Sequence, residues 1–455
     1  MRMENKQTLY FILFGTALVL VSCCAQTTKP NIVIWMNDDI GYGNFSFGGG
    51  SINTPRLART GRQGISYTRA WSNPICRPTR AILMTGKYAT ETGWWGQGHP
   101  LPTSLGQEFG TFAHVAKAQG YRTLMVGKWQ LTTDTTTDHG FDSYCLWEKS
   151  DLRSVARLRQ DFVELADGPV YTSEERNGAG VQNRYWHPLV VRHLWPSEHE
   201  MLITNTTVSA DNFGPTVFLQ CIHDFIKVNK STPFFIYFAG VTAHQHWEDI
   251  VGRQTFIGMP IVEGREVMDF TTREPEGAGS LESNVDFVDR MIGYLRGIIR
   301  AEGHYKNTIL VFTGDNGTHG YGKGSTTSEQ GTHVPLLVWG GPVKKRGKVK
   351  HLISLVDVYN TVSELMGAGV DASRPNSYSW AKFWTGESNS FIRKWMVAYR
   401  GELDSNGVIK PKWVVRNRQF IRDGDNRMWD CREGRDERDC NEVNPSDFQN
   451  TYDRL

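Results

Sequence analysis

Five short apolar runs divide the chain, at residues 31–36, 123–126, 234–238, 309–312 and 336–339. They are continuous rather than alternating, which predicts strands buried on both faces. Between them the apolar positions take up helical spacing. Val285, Val288, Ile292, Leu295 and Ile299 recur every three or four residues and stop near Gly303, and residues 352–366 offer a second such stretch. Strands alternating with helices predict an α/β domain built on a large, mostly parallel sheet flanked by helices. After Gly369 the texture changes. Residues 395–399, 413–416 and 419–421 predict short half-exposed strands, with Ser405-Asn406-Gly407 as a turn. The expected organisation is therefore a main α/β domain over 27–370 and a smaller antiparallel subdomain over 371–455. Residues from about 148 to 212 fit neither pattern and are expected to form an excursion near the site.

The polar residues that end these runs are more telling than the runs themselves. The first run leads into Asp38-Asp39, the second into Lys128, the third into His244 and the fourth into Asp315-Asn316. Open α/β sheets bind ligands beyond the carboxyl ends of their strands, so four runs ending in polar groups predict a site. Asp38, Asp39, Asp315 and Asn316 offer only hard oxygen ligands, which suits Ca2+, with Mg2+ second, and suits zinc poorly. Three carboxylates gathered without a cation would raise one another's pKa. Taken singly, Asp-Asp after a strand also caps helices, and Asp-Asn-Gly also makes turns.

At 455 residues and 39% hydrophobic composition the chain can bury one large core or two domains. A formal net charge of +2, with Lys and Arg spread along the chain, excludes nucleic acid as a partner held by bulk electrostatics. Arg2 and Lys6 precede an apolar stretch at 10–21, so residues 1–26 read as an export signal too short to span a membrane comfortably. Leu20-Val21-Ser22-Cys23 resembles the lipobox of bacterial lipoproteins, with Cys23 as the acylated residue; ordinary cleavage a few residues later is the alternative. Membrane attachment is expected only through such an anchor, and the location is the periplasm or cell surface. Cys431 and Cys440 can bridge in an exported protein, whereas Cys145 and Cys221 carry no assignment.

The most specific feature is Cys76-Arg77-Pro78-Thr79-Arg80-Ala81-Ile82-Leu83-Met84-Thr85-Gly86, of the form C-x-P-x-R, four residues, then T-G. A Cys near a Pro can be simply a small buried residue. This stretch resembles the signature of the type I sulfatases, in which the cysteine is oxidised after translation to Cα-formylglycine. The resemblance covers most of the exported chain. Residues 31–39 look like the family's first strand and metal-binding aspartates, and Thr313-Gly314-Asp315-Asn316-Gly317 like its second metal segment. Gly127-Lys128-Trp129 resembles the G-K-W-H-x-G element. Lys323, followed by Glu329-Gln330-Gly331 and Val334-Pro335, resembles the lysine segment, and His244 stands where the family has a histidine.

The resemblance implies an alkaline-phosphatase-like fold and hydrolysis of a sulfate ester by a hydrated aldehyde, which offers two hydroxyls on one carbon. One attacks, and the other later expels the product. It implies catalytic roles for Cys76, Arg80, Lys128, His244 and Lys323, and a Ca2+ that also meets position 76. If residue 76 starts a helix, as Pro74 and Pro78 suggest, the helix amides add positive potential there. It also implies a maturation partner, either a formylglycine-generating enzyme or an anaerobic sulfatase-maturating enzyme. The chain departs from the family at Gln130, where the motif carries a histidine; glutamine can orient a hydroxyl but cannot act as a base near neutral pH.

Candidate substrate-binding residues are Gln130, Trp94, Trp95, His99, Arg184, Trp186 and His187, aromatic or polar groups able to meet sugar rings and acidic substituents. They can equally be core and loop residues. An export signal favours a sulfated oligo- or polysaccharide over a cytosolic ester. Two further readings stay open: a phosphonate or phosphate ester hydrolase of the same superfamily, and a carbohydrate-binding protein that has lost turnover.

Overall fold

The computed structural model describes residues 29–96, 105–131, 136–147, 190–196, 201–203, 214–244, 281–326, 328–390, 392–431 and 440–448. Cys23, His99, Arg184, Trp186 and His187 lie outside the described residues, as does much of the expected excursion at 148–212.

An eleven-stranded mixed sheet forms the centre. Its strands are β1 (Asn31–Asn37), β2 (Ile65–Trp71), β3 (Arg122–Gly127), β4 (Ser143–Trp147), β5 (Val190–His193), β6 (Met201–Ile203), β7 (Phe234–Ala239), β8 (Thr308–Gly314), β9 (His333–Gly340), β10 (Gly347–Val349) and β11 (Ile353–Ser354). The spatial order is β10-β2-β9-β8-β1-β7-β3-β4-β5-β6, with β11 beside β2. All five apolar runs are strands of this sheet. The four that lead into polar residues, β8, β1, β7 and β3, are contiguous and mutually parallel, so their carboxyl ends share one edge. The fifth run, β9, pairs antiparallel with both β8 and β2 and presents its opposite end there.

Burial on both faces explains the continuous runs. Along β1, Ile32, Ile34 and Met36 join one core cluster, while Val33 and Trp35 join the other. The first cluster takes residues from helices Cys76–Thr85, Phe112–Ala118 and Asp357–Leu365. The second takes them from Pro55–Gln63, Gly214–Val228 and Leu281–Ala301. The periodic stretch at 285–299 is the interior of that last helix. Residues 352–366 instead split into β11 and a helix, Asp357–Leu365.

A separate five-stranded antiparallel sheet lies toward the C-terminus: β12 (Trp395–Leu403), β13 (Ile409–Asn417), β14 (Phe420–Asp423), β15 (Met428–Asp430) and β16 (Asn441–Val443). It meets the main domain through a small core that includes Trp71, Leu352, Met396, Ala398, Val414 and Ile421. Trp380, Phe383 and Trp384 join the first core cluster, as do Val397 and Val415 of the antiparallel sheet, whose first strand begins at Trp395. Disulfides join Cys145 to Cys221, tying β4 to helix Gly214–Val228, and Cys431 to Cys440. Among the described residues no helix is long and apolar enough to cross a membrane.

Candidate active site

The edge shared by β8, β1, β7 and β3 is where the backbone departs from its usual conformations. Among the described residues only four non-glycine residues have φ in the left-handed region, and three stand just beyond these strands: Asp39 at 53°, Gln130 at 57° and Ala243 at 73°. Such conformations cost energy and concentrate where surrounding structure holds a functional side chain in place. Gly127 ends β3 at φ 92°, and a Cβ there would lie 2.1 Å from the Ala239 carbonyl oxygen. That close approach lets the Lys128 amide donate to the same oxygen at 2.9 Å and turns Lys128 into the site.

Cys76 is the first residue of helix Cys76–Thr85, behind an extended Ile75, and is 0% exposed. Arg80, four residues on, shares its helix face. The Arg80 guanidinium is fully buried and donates to Asp315 Oδ2 at 2.8 Å and to the Lys128 carbonyl at 3.3 Å; its Nη2 lies 3.7 Å from Asp38 Oδ1. Lys128 Nζ donates to Asp38 Oδ2 at 2.6 Å, and Lys323 Nζ to Asp39 Oδ2 at 2.6 Å. His244 Nε2 stands 3.8 Å from Asp39 Oδ2. The Asp39 amide donates to Asp315 Oδ1 at 3.0 Å, and Asn316 Nδ2 donates to Asp39 Oδ1 at 2.8 Å. Gln130 Nε2 lies 3.2 Å from Cys76 Sγ.

Three buried carboxylates therefore face three cations, Arg80, Lys128 and Lys323. Burial alone would raise the Asp38 pKa, but Lys128, His244, Arg80 and Lys323 together hold it well below the usual carboxylate range. Asp315 moves the other way, pushed up to about 8 by burial and by Asp38 against the pull of Arg80. The cluster thus favours ionised Asp38 at the expense of Asp315. Burial, with Asp315 and Asp38, pushes the Cys76 thiol up, and Lys128 and Lys323 only partly oppose this. A protonated thiol is a poor nucleophile, so the encoded side chain is chemically quiet here. Burial also lowers His244, while Asp38 and Asp39 favour its charged form.

The donor set fits a hard divalent cation. Ligand atoms of Asp38, Cys76 and Asp315 lie within 4.8 Å of one another, as do those of Asp38, Asp39 and His244. Among the described residues, Asp38 Oδ1 and Asn316 Oδ1 are buried without a hydrogen-bond donor, Arg80 Nη2 standing 3.7 Å from the former, an arrangement that suits uptake of a cation.

Ten residues proposed from the sequence thus converge: Asp38, Asp39, Cys76, Arg80, Lys128, Gln130, His244, Asp315, Asn316 and Lys323. Trp94 does not join them. Its side chain is 1% exposed in the main core with Ile82 and Tyr88, so its ring has no face to offer a sugar. Trp95 packs edge-on against Tyr399, 5.9 Å between centroids. Sequence reasoning passed over Asn37, whose side-chain amide donates to the Thr242 carbonyl at 2.8 Å and fixes the segment that carries His244. A polar residue closing an apolar run was the available signal. A cavity of about 370 Å³ is lined in part by Tyr42, Asn44, Thr318, Tyr321 and His333.

A family model described as Sulfatase matches residues 30–368. An N-acetylgalactosamine-6-sulfatase from Sus scrofa is 27% identical over 373 residues, 74% of this chain; the match spans only 62% of that relative's length. Ps i-CgsB, solved in complex with k-i-k-neocarrahexaose, is 20% identical, with a TM-score of 0.69 over 94% of this chain and 91% of its own. The phosphonate monoester hydrolase SpPMH from Silicibacter pomeroyi is 16% identical, with a TM-score of 0.59 over 93% of each chain. Likeness at these identities establishes the fold, alkaline-phosphatase-like with a C-terminal antiparallel sheet, and does not separate sulfate from phosphonate chemistry. The family match does more, because it contains every residue of the converged site: this chain belongs to the sulfatase family.

Proposed function

We propose that the protein is an exported hydrolase of sulfate esters on a sulfated carbohydrate, with residue 76 oxidised to formylglycine and a Ca2+ at the aspartate cluster. The observation that carries this reading is the packing of Cys76 Sγ within 4.8 Å of Asp38 and Asp315 oxygens at a helix start, ringed by buried cations. Asp38, Asp39, Asp315 and Asn316 would hold the cation, which when bound supplies charge neutralisation and acidifies a hydroxyl on residue 76. Oxidation supplies what no encoded side chain has, two hydroxyls on one carbon after hydration.

The chain's other residues have separable tasks. Lys128 and Lys323 exchange their carboxylate partners for sulfate oxygens, preorganised cations for charge that develops in the transition state. Arg80 orients the residue-76 hydroxyls through its place one helical turn away. As a residue-76 hydroxyl, its proton released to solvent, bonds to sulfur and the ester S–O bond breaks, His244 gives its own proton to the departing alcohol oxygen. Burial, with Lys128 and Lys323, lowers the His244 pKa overall against the pull of Asp38 and Asp39, so its imidazolium gives up a proton readily. Gln130 holds one hydroxyl of residue 76 without accepting its proton.

The two disulfides support export, since such bonds persist in oxidising compartments. The signal-like segment and Cys23 support a lipid-anchored periplasmic or surface location, and a maturase is the required partner for Cys76. The substrate class is supported by the relatives, one named for N-acetylgalactosamine-6-sulfate chemistry and one solved with a neocarrahexaose. Trp95 and Gln130 are the described candidates for contact with the sugar.

The test is mass spectrometry of the residue-76 peptide from the native host, with sulfate release from sulfated oligosaccharides. A formyl group and turnover that Cys76→Ala abolishes are expected. An unmodified thiol, or a matched phosphonate ester cleaved faster than the sulfate, overturns the reading.

A further inference from the structure

We propose that Arg400 and Asn73 are positioning residues, through which the C-terminal sheet fixes Lys323 relative to residue 76. The proposal rests on the functional reading above and concerns how the two groups are held.

Three segments distant in sequence close into a ring of hydrogen bonds. Residues 73–75 lead into the helix that begins at Cys76, Gly324 follows Lys323, and residues 399–401 belong to β12. The Gly324 amide donates to the Pro74 carbonyl at 2.7 Å, joining the two active-site segments directly. Each segment is then tied to an adjacent residue of one strand. The Tyr399 amide donates to Asn73 Oδ1 at 2.9 Å, and Arg400 Nη1 donates to the Gly324 carbonyl at 2.6 Å. The next residue, Gly401, donates to the Trp95 carbonyl at 2.9 Å. Because β12 pairs with β13 over nine consecutive residues, positions 399 and 400 form a fixed spacer between the two segments.

Lys323 needs such an anchor. It lies between Gly322 at φ 123° and Gly324 at φ 84°, the residue type with the freest backbone on both sides. Within its own loop the Lys323 amide donates to the Thr318 carbonyl, and its ammonium sits 2.6 Å from Asp39 Oδ2. On the other side, Asn73 is fully buried, and its backbone amide donates to Thr79 Oγ1 at 3.0 Å. Asn73 thereby links β12 to the first turn of the nucleophile helix. Its Nδ2 is buried with no acceptor, so the residue bears a desolvation cost while only its carbonyl oxygen is used. A misplacement of catalytic groups by about 1 Å is enough to cost on the order of 100-fold in rate.

Arg400 is 37% exposed, so its replacement spares the core. Arg400→Met keeps the stem and removes the donors; Arg400→Lys keeps one. On an activated aryl sulfate, Arg400→Met is expected to lose about tenfold in kcat with little change in KM, and Arg400→Lys to recover to within about threefold. In a Lys323→Met background the same change should cost less than about twofold, because Arg400 acts through Lys323. Amide exchange at Gly324 should rise about tenfold in Arg400→Met, a readout independent of turnover. Equal losses in both backgrounds would put Arg400 on the substrate itself and overturn the proposal, as would unchanged kcat or unchanged exchange. Asn73→Ala, if it folds, should reproduce the Arg400→Met pattern. A wild-type protein that releases no sulfate sinks the functional reading; an active one indifferent to Arg400 sinks only the positioning role.

Discussion

Asp357 and Asp38 are both buried carboxylates facing buried arginines, and they differ in whether their oxygens are used up. Asp357 accepts from Arg393 Nε at 2.8 Å and from Arg393 Nη2, from the Ser354 and Tyr378 amides at 3.1 and 2.9 Å, and from Trp380 Nε1 at 3.4 Å. Arg393 also donates to the Asn376 and Trp395 carbonyls, and both Asp357 oxygens are taken. Nothing there is left to bind. Asp38, by contrast, keeps Oδ1 without a donor, as Asn316 does its own Oδ1, and the surrounding cations belong in part to flexible-stemmed lysines that can change partner. A saturated buried ion pair joins parts of a fold, here the main domain to the start of β12. An unsaturated one is a binding site in waiting.

The contrast can be broken by exchanging the consequences of two mutations. Asp38→Asn should lose on the order of 1,000-fold in kcat, since several kcal/mol of charge stabilisation go with the cation, while the metal-free protein loses less stability than Asp357→Asn because Arg80 keeps Asp315 as a partner. Asp357→Asn should do the reverse, costing about 3–5 kcal/mol of stability because Arg393 is left buried and unpaired, with kcat per folded molecule unchanged. Denaturant melts and active-site titration on both proteins decide the matter; a destabilised Asp38→Asn with a stable Asp357→Asn would dissolve the distinction.

Ca2+ sharpens it. Added at about 100 times its dissociation constant, it should stabilise the wild type by about 2.7 kcal/mol and restore activity lost to a chelator, with no stabilisation of Asp38→Asn. Stoichiometric zinc in active protein would contradict an all-oxygen ligand set. The smallest effect is expected at Gln130. Gln130→His should raise the steady rate by up to about tenfold if collapse of the sulfated enzyme limits turnover, and the wild type should then show an initial burst of desulfated product. A rise in KM alone would instead make Gln130 part of the sugar pocket.

The parts legible in the sequence are those whose physics is local. A strand buried on both faces must be continuously apolar, so β1, β3, β7, β8 and β9 stand out, and the polar residues that end four of them mark the site. Direction is not local: nothing in residues 336–339 says that β9 runs antiparallel to its neighbours. Nor does β2 stand out, since Ile65–Trp71 interleaves Ser66, Thr68 and Arg69 with apolar residues and carries an irregular register between Tyr67 and Ala70. Trp94 shows the limit of composition, because a tryptophan that stacks on a sugar and one that fills a core look alike until burial is known. Cys145 and Cys221 lie 76 residues apart on a strand and a helix, and the ring through Asn73 and Arg400 spans more than 300 residues. Tertiary folding alone brings such pairs together.

The complete burial of Cys76 imposes an order in time. In the folded domain the residue-76 side chain is 0% exposed at the start of a packed helix, so a maturase would meet no accessible thiol there. If residue 76 is oxidised as proposed, the reaction would have to finish before the domain closes, in competition with folding itself. A chain that folded first, unmodified, would keep its thiol buried and out of a maturase's reach. Preparations made faster than their maturase can work would be mixtures of two species that do not interconvert. Their specific activity then measures the outcome of that race rather than the speed of the active site.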